Sequence, residues 1–231
     1  MIGSIDRIVN QQILKWQEER RIAERRGPSR NPDSQQPTIC ISREFGARGA
    51  ELGRLVAERL DVRFYSQELI HFVAKESHVR QQVVESLDER VRAGITRRVA
   101  EILRANRFAE TDYLRNLSKV VVTLARHGQS VVVGRGAHFI LDPLMTLRVR
   151  VIAPFERRIE RVEDKYHLPE SVAREKILRI DGERVAFNRQ HFGADITDPR
   201  NYDIIVNTGR LPLDACVSLV TAAFRARFSE A

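Results

Sequence analysis

Cysteine and aromatic rings are both scarce in this chain. Its 231 residues include two cysteines, and Phe, Tyr and Trp together make up 6%, with a single tryptophan. Cys40 and Cys216 lie far apart with no CxxC or Cys/His cluster around either, which argues against a metal or dithiol centre and reads both as buried, reduced thiols. No apolar run approaches the roughly 20 residues needed to span a bilayer, and the opening MIGSIDRIVNQQ lacks a signal-peptide core. The expectation is a cytoplasmic chain with no membrane partner. No internal repeat and no low-complexity tract is visible. Positive charge, by contrast, is plentiful. Lys and Arg number 39 against 31 acids, a net +8, and nearly all of the cations are arginine, whose planar fork suits phosphate. The shortage of rings decides between polyanions: no basic stretch is interleaved with stacking aromatics, so a nucleotide is favoured over nucleic acid.

Residues 4–26 set Ile5, Ile8, Val9, Leu14 and Trp16 among charges at roughly helical spacing, and GPSRNPDSQQP then breaks the pattern with three prolines. Residues 1–37 are therefore expected to form an N-terminal helix and a flexible linker, the helix docked on the body or paired with a second copy in a homo-oligomer. The body begins at Thr38. Short apolar runs at 38–42, 130–133, 147–152 and 203–206 read as buried strands, and helical spacing recurs after 51 and over 67–76, 81–104, 110–127, 154–166, 169–189 and 212–227. Buried strands alternating with helices predict a parallel sheet with helices on both faces.

Three stretches carry chemistry. Ser42-Arg43-Glu44-Phe45-Gly46-Ala47-Arg48-Gly49-Ala50-Glu51 lies between the first strand and first helix, where glycines let backbone N–H groups converge on phosphate and the helix N-terminus adds positive potential. It departs from GxxxxGK[ST]: Gly49 stands where the lysine belongs and Glu51 where the hydroxyl belongs. Val133-Gly134-Arg135-Gly136-Ala137 follows a buried strand, so Arg135 is delivered to the crevice at the carboxyl end of the sheet. The third is the helical stretch from Arg174 to Arg189, with Arg179, Asp181, Glu183 and Arg184, which leads into a glycine break as a closing lid would. Arg157 and Arg161, each with an acid three residues on, read instead as a solvated, ion-paired face.

These blocks, with RVIAPFERRIERV and RIDGERVAFNRQHFGADITDPRNYDIIVNTGRLPLDA in the same order, resemble the cytidylate kinase-like family over about residues 38–227. The resemblance implies a P-loop NTPase fold over 38–231, with an acceptor-binding insertion at 75–128, a lid at 174–195, and phosphorylation of CMP or dCMP by ATP with Mg²⁺. It implies that Gly46, Ala47, Arg48, Gly49, Ala50 and Glu51 face the ATP phosphates, that 207–212 lies near the adenine, and that Arg43, Arg135 and Glu183 bind the acceptor. Arg179 and Arg184 would act on the transferring group, and Arg48 would replace the missing lysine. No protein metal ligand is expected, although Ser42 and Glu51 lie nearest to any bridging Mg²⁺. Gly136 stands where the family's authentic cytidylate kinases carry aspartate. With that aspartate and the P-loop lysine both missing, a nucleotide-binding regulator without turnover stays open beside the kinase.

Overall fold

The computed structural model describes residues 11, 14, 16, 18, 36–85, 89–105, 108 and 111–228. Five parallel strands, β1 (Thr38–Arg43), β2 (Arg63–Tyr65), β3 (Ser130–Val133), β4 (Thr146–Ile152) and β5 (Ile204–Asn207), lie in the order β2-β3-β1-β4-β5. The first strand pairs with β3 on one side, Thr38 opposite Ser130, and with β4 on the other, Arg43 opposite Val151. Successive strands therefore depart in opposite directions from β1, and the crevice that opens at its carboxyl end receives Arg43. The helices are α1 (Gly49–Leu60), α2 (Gln67–Lys75), α3 (Ser77–Glu85), α4 (Glu89–Ala105), α5 (Asp112–Arg126), α6 (Ala137–Ile140), α7 (Phe155–Tyr166), α8 (Glu170–Phe192) and α9 (Leu213–Phe228).

Alternation along the strands divides the core into two layers. Ile39, Ile41, Val131 and Val133 pack with α1 and α9 through Val56, Cys216 and Phe224, while Cys40 and Val132 face α2 to α5 through Ile70, Leu117 and Val121. Both cysteines are buried and free, and burial pushes the Cys40 thiol up. A parallel sheet with helices on both faces is the architecture expected from the sequence.

The elements differ from expectation where the signal was short. Strand β2 is three residues, RFY, too few to show a period, and α6 is a single turn. The helix expected over 81–104 is described as α3 up to Glu85 and α4 from Glu89, residues 86–88 lying outside the described residues, and α8 runs on to Phe192. The linker expected before the body lies, over 27–35, outside the described residues. Residues 11, 14, 16 and 18 are helical, and Trp16, 3% exposed, lies in the core beside Tyr65 and stacks on His127 at 4.2 Å. Among the described residues no helix is long and apolar enough to cross a membrane.

Candidate functional site

The loop from β1 to α1 turns through two left-handed residues, Gly46 (φ 82°) and Arg48 (φ 58°). Its tightness explains the missing lysine. A Cβ at Gly49 would lie 2.5 Å from the Cβ of Arg43 and 2.9 Å from its Cγ, so the stem of Arg43 fills the room a longer residue would need. Arg43 is 9% exposed, and its Nη2 donates to Gln67 Oε1. Burial, then the neighbouring charges of Arg184, Arg135 and Arg150, pull its guanidinium down to about 9, with Glu68 opposing them. Arg48 goes elsewhere: Nε and Nη2 bind Glu51 at 2.8 and 2.7 Å on the exposed first turn of α1.

Three consecutive left-handed residues follow β3, at φ 83°, 54° and 64° for Gly134, Arg135 and Gly136. Gly134 is needed because a side chain would run into Arg43 Nη1. Arg135 packs its guanidinium 5.5 Å over the Phe187 ring, and its buried Nε has no hydrogen-bond partner. Gly136 abuts the ring of Phe192, which lies where any Cβ would go. Phe192 in turn packs on Phe108 and Phe139, so this aromatic cluster leaves no space for an aspartate at 136.

From α8, Arg184 Nη1 donates to the Arg43 carbonyl at 3.1 Å and to Asp181 Oδ1 at 3.2 Å, with its guanidinium 5.7 Å over Phe45. Burial lowers it, Asp181 opposing. Asp181 also accepts from the Phe45 backbone N–H at 2.8 Å and from Arg158 Nη1. A carboxylate thus caps the loop between β1 and α1.

Three cavities meet at Arg43 and Arg184. One of about 510 Å³ is lined by Gly46, Arg48, Gly49, Ala50 and Glu51 together with Arg161, Lys165 and Tyr166. A narrower one, about 130 Å³, brings Arg43, Arg135, Glu183 and Arg184 together beside Phe187. The third, about 320 Å³, lies between Arg150, Arg158 and α8. Two of the expected site residues stand apart. Ala47 is buried, and its carbonyl accepts from Thr208 Oγ1 at 2.8 Å, which straps the 207–212 loop to the loop between β1 and α1. Arg179 pairs with Glu183 in the open, the two side chains 59% and 61% exposed, and lines none of the three. Of the Mg²⁺ candidates, Ser42 is engaged by Arg150 and Tyr202, and Glu51 by Arg48.

Sequence reasoning also missed Arg161. Arg157 does pair with Glu160, but Arg161 turns inward, donating to the Thr208 carbonyl at 2.7 Å and approaching the Gly46 carbonyl at 3.4 Å. Its pKa is lowered by burial and then by Arg48. The signal was in LRVRVI and ERRIERV, where arginines interrupt apolar periods that face a core.

Residues 38–210 match the model of the cytidylate kinase-like family. The chain belongs to that family. Curated relatives agree in part: a cytidylate kinase of Methanopyrus kandleri is 31% identical over 108 residues, 43% of this chain and 56% of that protein. A uronate isomerase of Corynebacterium glutamicum is 30% identical over 99 residues, 42% of this chain and 19% of that one. The matched stretches thus span little more than half of one curated relative and about a fifth of the other. An uncharacterized protein from Eubacterium ventriosum has the same fold, with a TM-score of 0.68 at 21% identity, over 83% of this chain and 99% of the other. Family and fold place the chain in the P-loop class, a class that in general uses ATP and Mg²⁺.

Proposed function

We propose that this protein transfers a phosphoryl group from ATP to a nucleoside monophosphate, with CMP or dCMP as acceptor. The observation that carries the reading is the convergence of Arg43, Arg135 and Arg184 on one crevice next to the phosphate loop, with no carboxylate paired to Arg43 or Arg135 among the described residues. Buried guanidiniums without counter-ions match a dianionic phosphate in charge and in donor geometry.

The residues fit a polyphosphate in the larger cavity, where Arg161, Lys165 and Arg184 face the first turn of α1 and its unpaired backbone N–H groups. ATP supplies the phosphoryl group. Magnesium would supply charge neutralisation on the nucleotide's phosphates, beside Arg161, Lys165 and Arg184. The protein positions and neutralises: Arg43 and Arg135 hold the acceptor phosphate, Arg184 spans both cavities, and Phe187 screens the crevice from water. No side-chain nucleophile is required.

The reading is tested by steady-state ATP consumption with CMP, dCMP, UMP, AMP and GMP. Turnover is expected with the cytidine nucleotides. Turnover confined to purines overturns the acceptor. A second reading, a nucleotide-binding regulator, is favoured by Asp181 on the loop N–H and by Arg48 held on Glu51. It predicts ATP binding by calorimetry with no turnover on any member of the panel.

A further inference from the structure

Four guanidiniums, of Arg43, Arg150, Arg158 and Arg184, border the cavity of about 320 Å³ under α8. Two carboxylates answer them. Glu44 and Asp181 both pair with Arg158, and Asp181 also takes Arg184. Among the described residues Arg150 has no ion pair, while the guanidinium of Arg43 turns away to Gln67 Oε1 and Gly134. Arg150 is 7% exposed. It comes from the middle of β4, donates from Nη1 to Ser42 Oγ at 2.8 Å, and lies 5.9 Å over the Tyr202 ring. A single hydroxyl and a ring face do not neutralise a guanidinium, and a buried charge without a counter-ion is among the most costly features a fold can retain.

We propose that Arg150 anchors an anion subsite for a phosphate group in the cavity under α8, separate from the crevice that holds Arg43 and Arg135. Arg150 borders only this cavity and Arg135 only the other. Phe155, Ile177, Leu178, Val185 and Ile196 add apolar surface to its walls beside the charged residues. The ligand class is a phosphate-type oxyanion, free or as the head of a small ester. This assignment goes beyond the acceptor proposed above and does not depend on it.

The test uses melting midpoints of the full chain with tens of millimolar inorganic phosphate, ionic strength being matched with chloride. Phosphate raises the midpoint of the wild type and of Arg135→Met, or of Arg135→Lys should the first not fold. Adding Arg150→Met to that background abolishes the gain. Arg150→Met alone raises the ligand-free midpoint by about 2–8 °C, because replacing a buried uncompensated charge with an apolar residue of like volume removes its desolvation penalty. The proposal is overturned if the Arg135 variant alone abolishes the gain, if the double variant keeps it, or if Arg150→Met and Arg150→Lys both melt below the wild type. A larger gain with propyl phosphate than with inorganic phosphate identifies an ester head group, and an equal gain the free anion. Nucleotide is absent throughout, so failure of the cytidine assignment leaves the readout intact.

Discussion

Arg184 lines all three cavities and Arg179 none, although both lie on one helix and were read alike from the sequence. Charge that develops as a phosphoryl group moves is stabilised by donors already in place, so Arg184→Ala should lower kcat by about 10²-fold or more, with a smaller rise in KM. Arg179→Ala, which breaks an exposed pair, should leave stability within about 0.5 kcal/mol and kcat at least ten-fold above that of Arg184→Ala. Steady-state kinetics of the two variants side by side checks both, and equal losses would put Arg179 in the reacting site. Gly49 makes a second prediction. Restoring the lysine as Gly49→Lys drives its Cβ into Arg43 and should cost about 1–3 kcal/mol of overpacking, most of it recovered when Arg43→Gly is added. A double-mutant cycle by thermal melting measures the coupling, and additive losses would show that the two side chains do not compete for space. Arg43, Arg135 and Arg184 were legible because strand ends and flanking glycines mark a crevice. Arg161 was not, because an acid three residues on imitates a solvated face, and only the loop that folds over it, at Thr208, reveals where it points.

Among elements, the buried strands were the most legible, since β-branched runs covered on both faces need no context to be recognised. The three-residue β2 depends on tertiary packing that periodicity does not report. The N-terminal helix illustrates the same limit. Its polar sequence and the prolines after it leave docking on the body and pairing with a second copy both open, and Trp16 fills a place between Tyr65 and His127 in the body. Burying an indole stabilises by about 2–3 kcal/mol, so deletion of residues 1–37 should lower the melting midpoint by roughly 4–12 °C. Calorimetry of the truncated chain checks this, and an unchanged midpoint would detach the helix from the core. Because Trp16 is the sole tryptophan, its emission in the intact chain should be blue-shifted and move to the red on unfolding.

For the whole molecule, pH is the informative variable. His127 and His138 are both held neutral, at about 3, chiefly by burial and then by Arg63 for the first and by Arg148 and Arg150 for the second. Their folded values lie below the ordinary 6.5, so between these limits the unfolded chain binds more protons, and stability falls as pH drops through that window. The slope contributed by each reaches at most about 1.4 kcal/mol per pH unit and vanishes above pH 6.5. Melting midpoints between pH 6.5 and 5, above the carboxylate range, should decline in the wild type and flatten in His127→Phe. An unaltered slope would mean that His127 is solvated. Over the same scale, α8 acts as a beam of 23 residues, about 35 Å, pinned at both ends. Ala173 and Ile177 lock its start against α7, while Asn188, His191 and Phe192 are sunk in the body. Asp181 and Arg184 hang from mid-span beside Gly182, whose Cα has nothing packed around it. Held at both supports, such a beam carries any load placed at its centre, an anion's included, to α7 and to the body together.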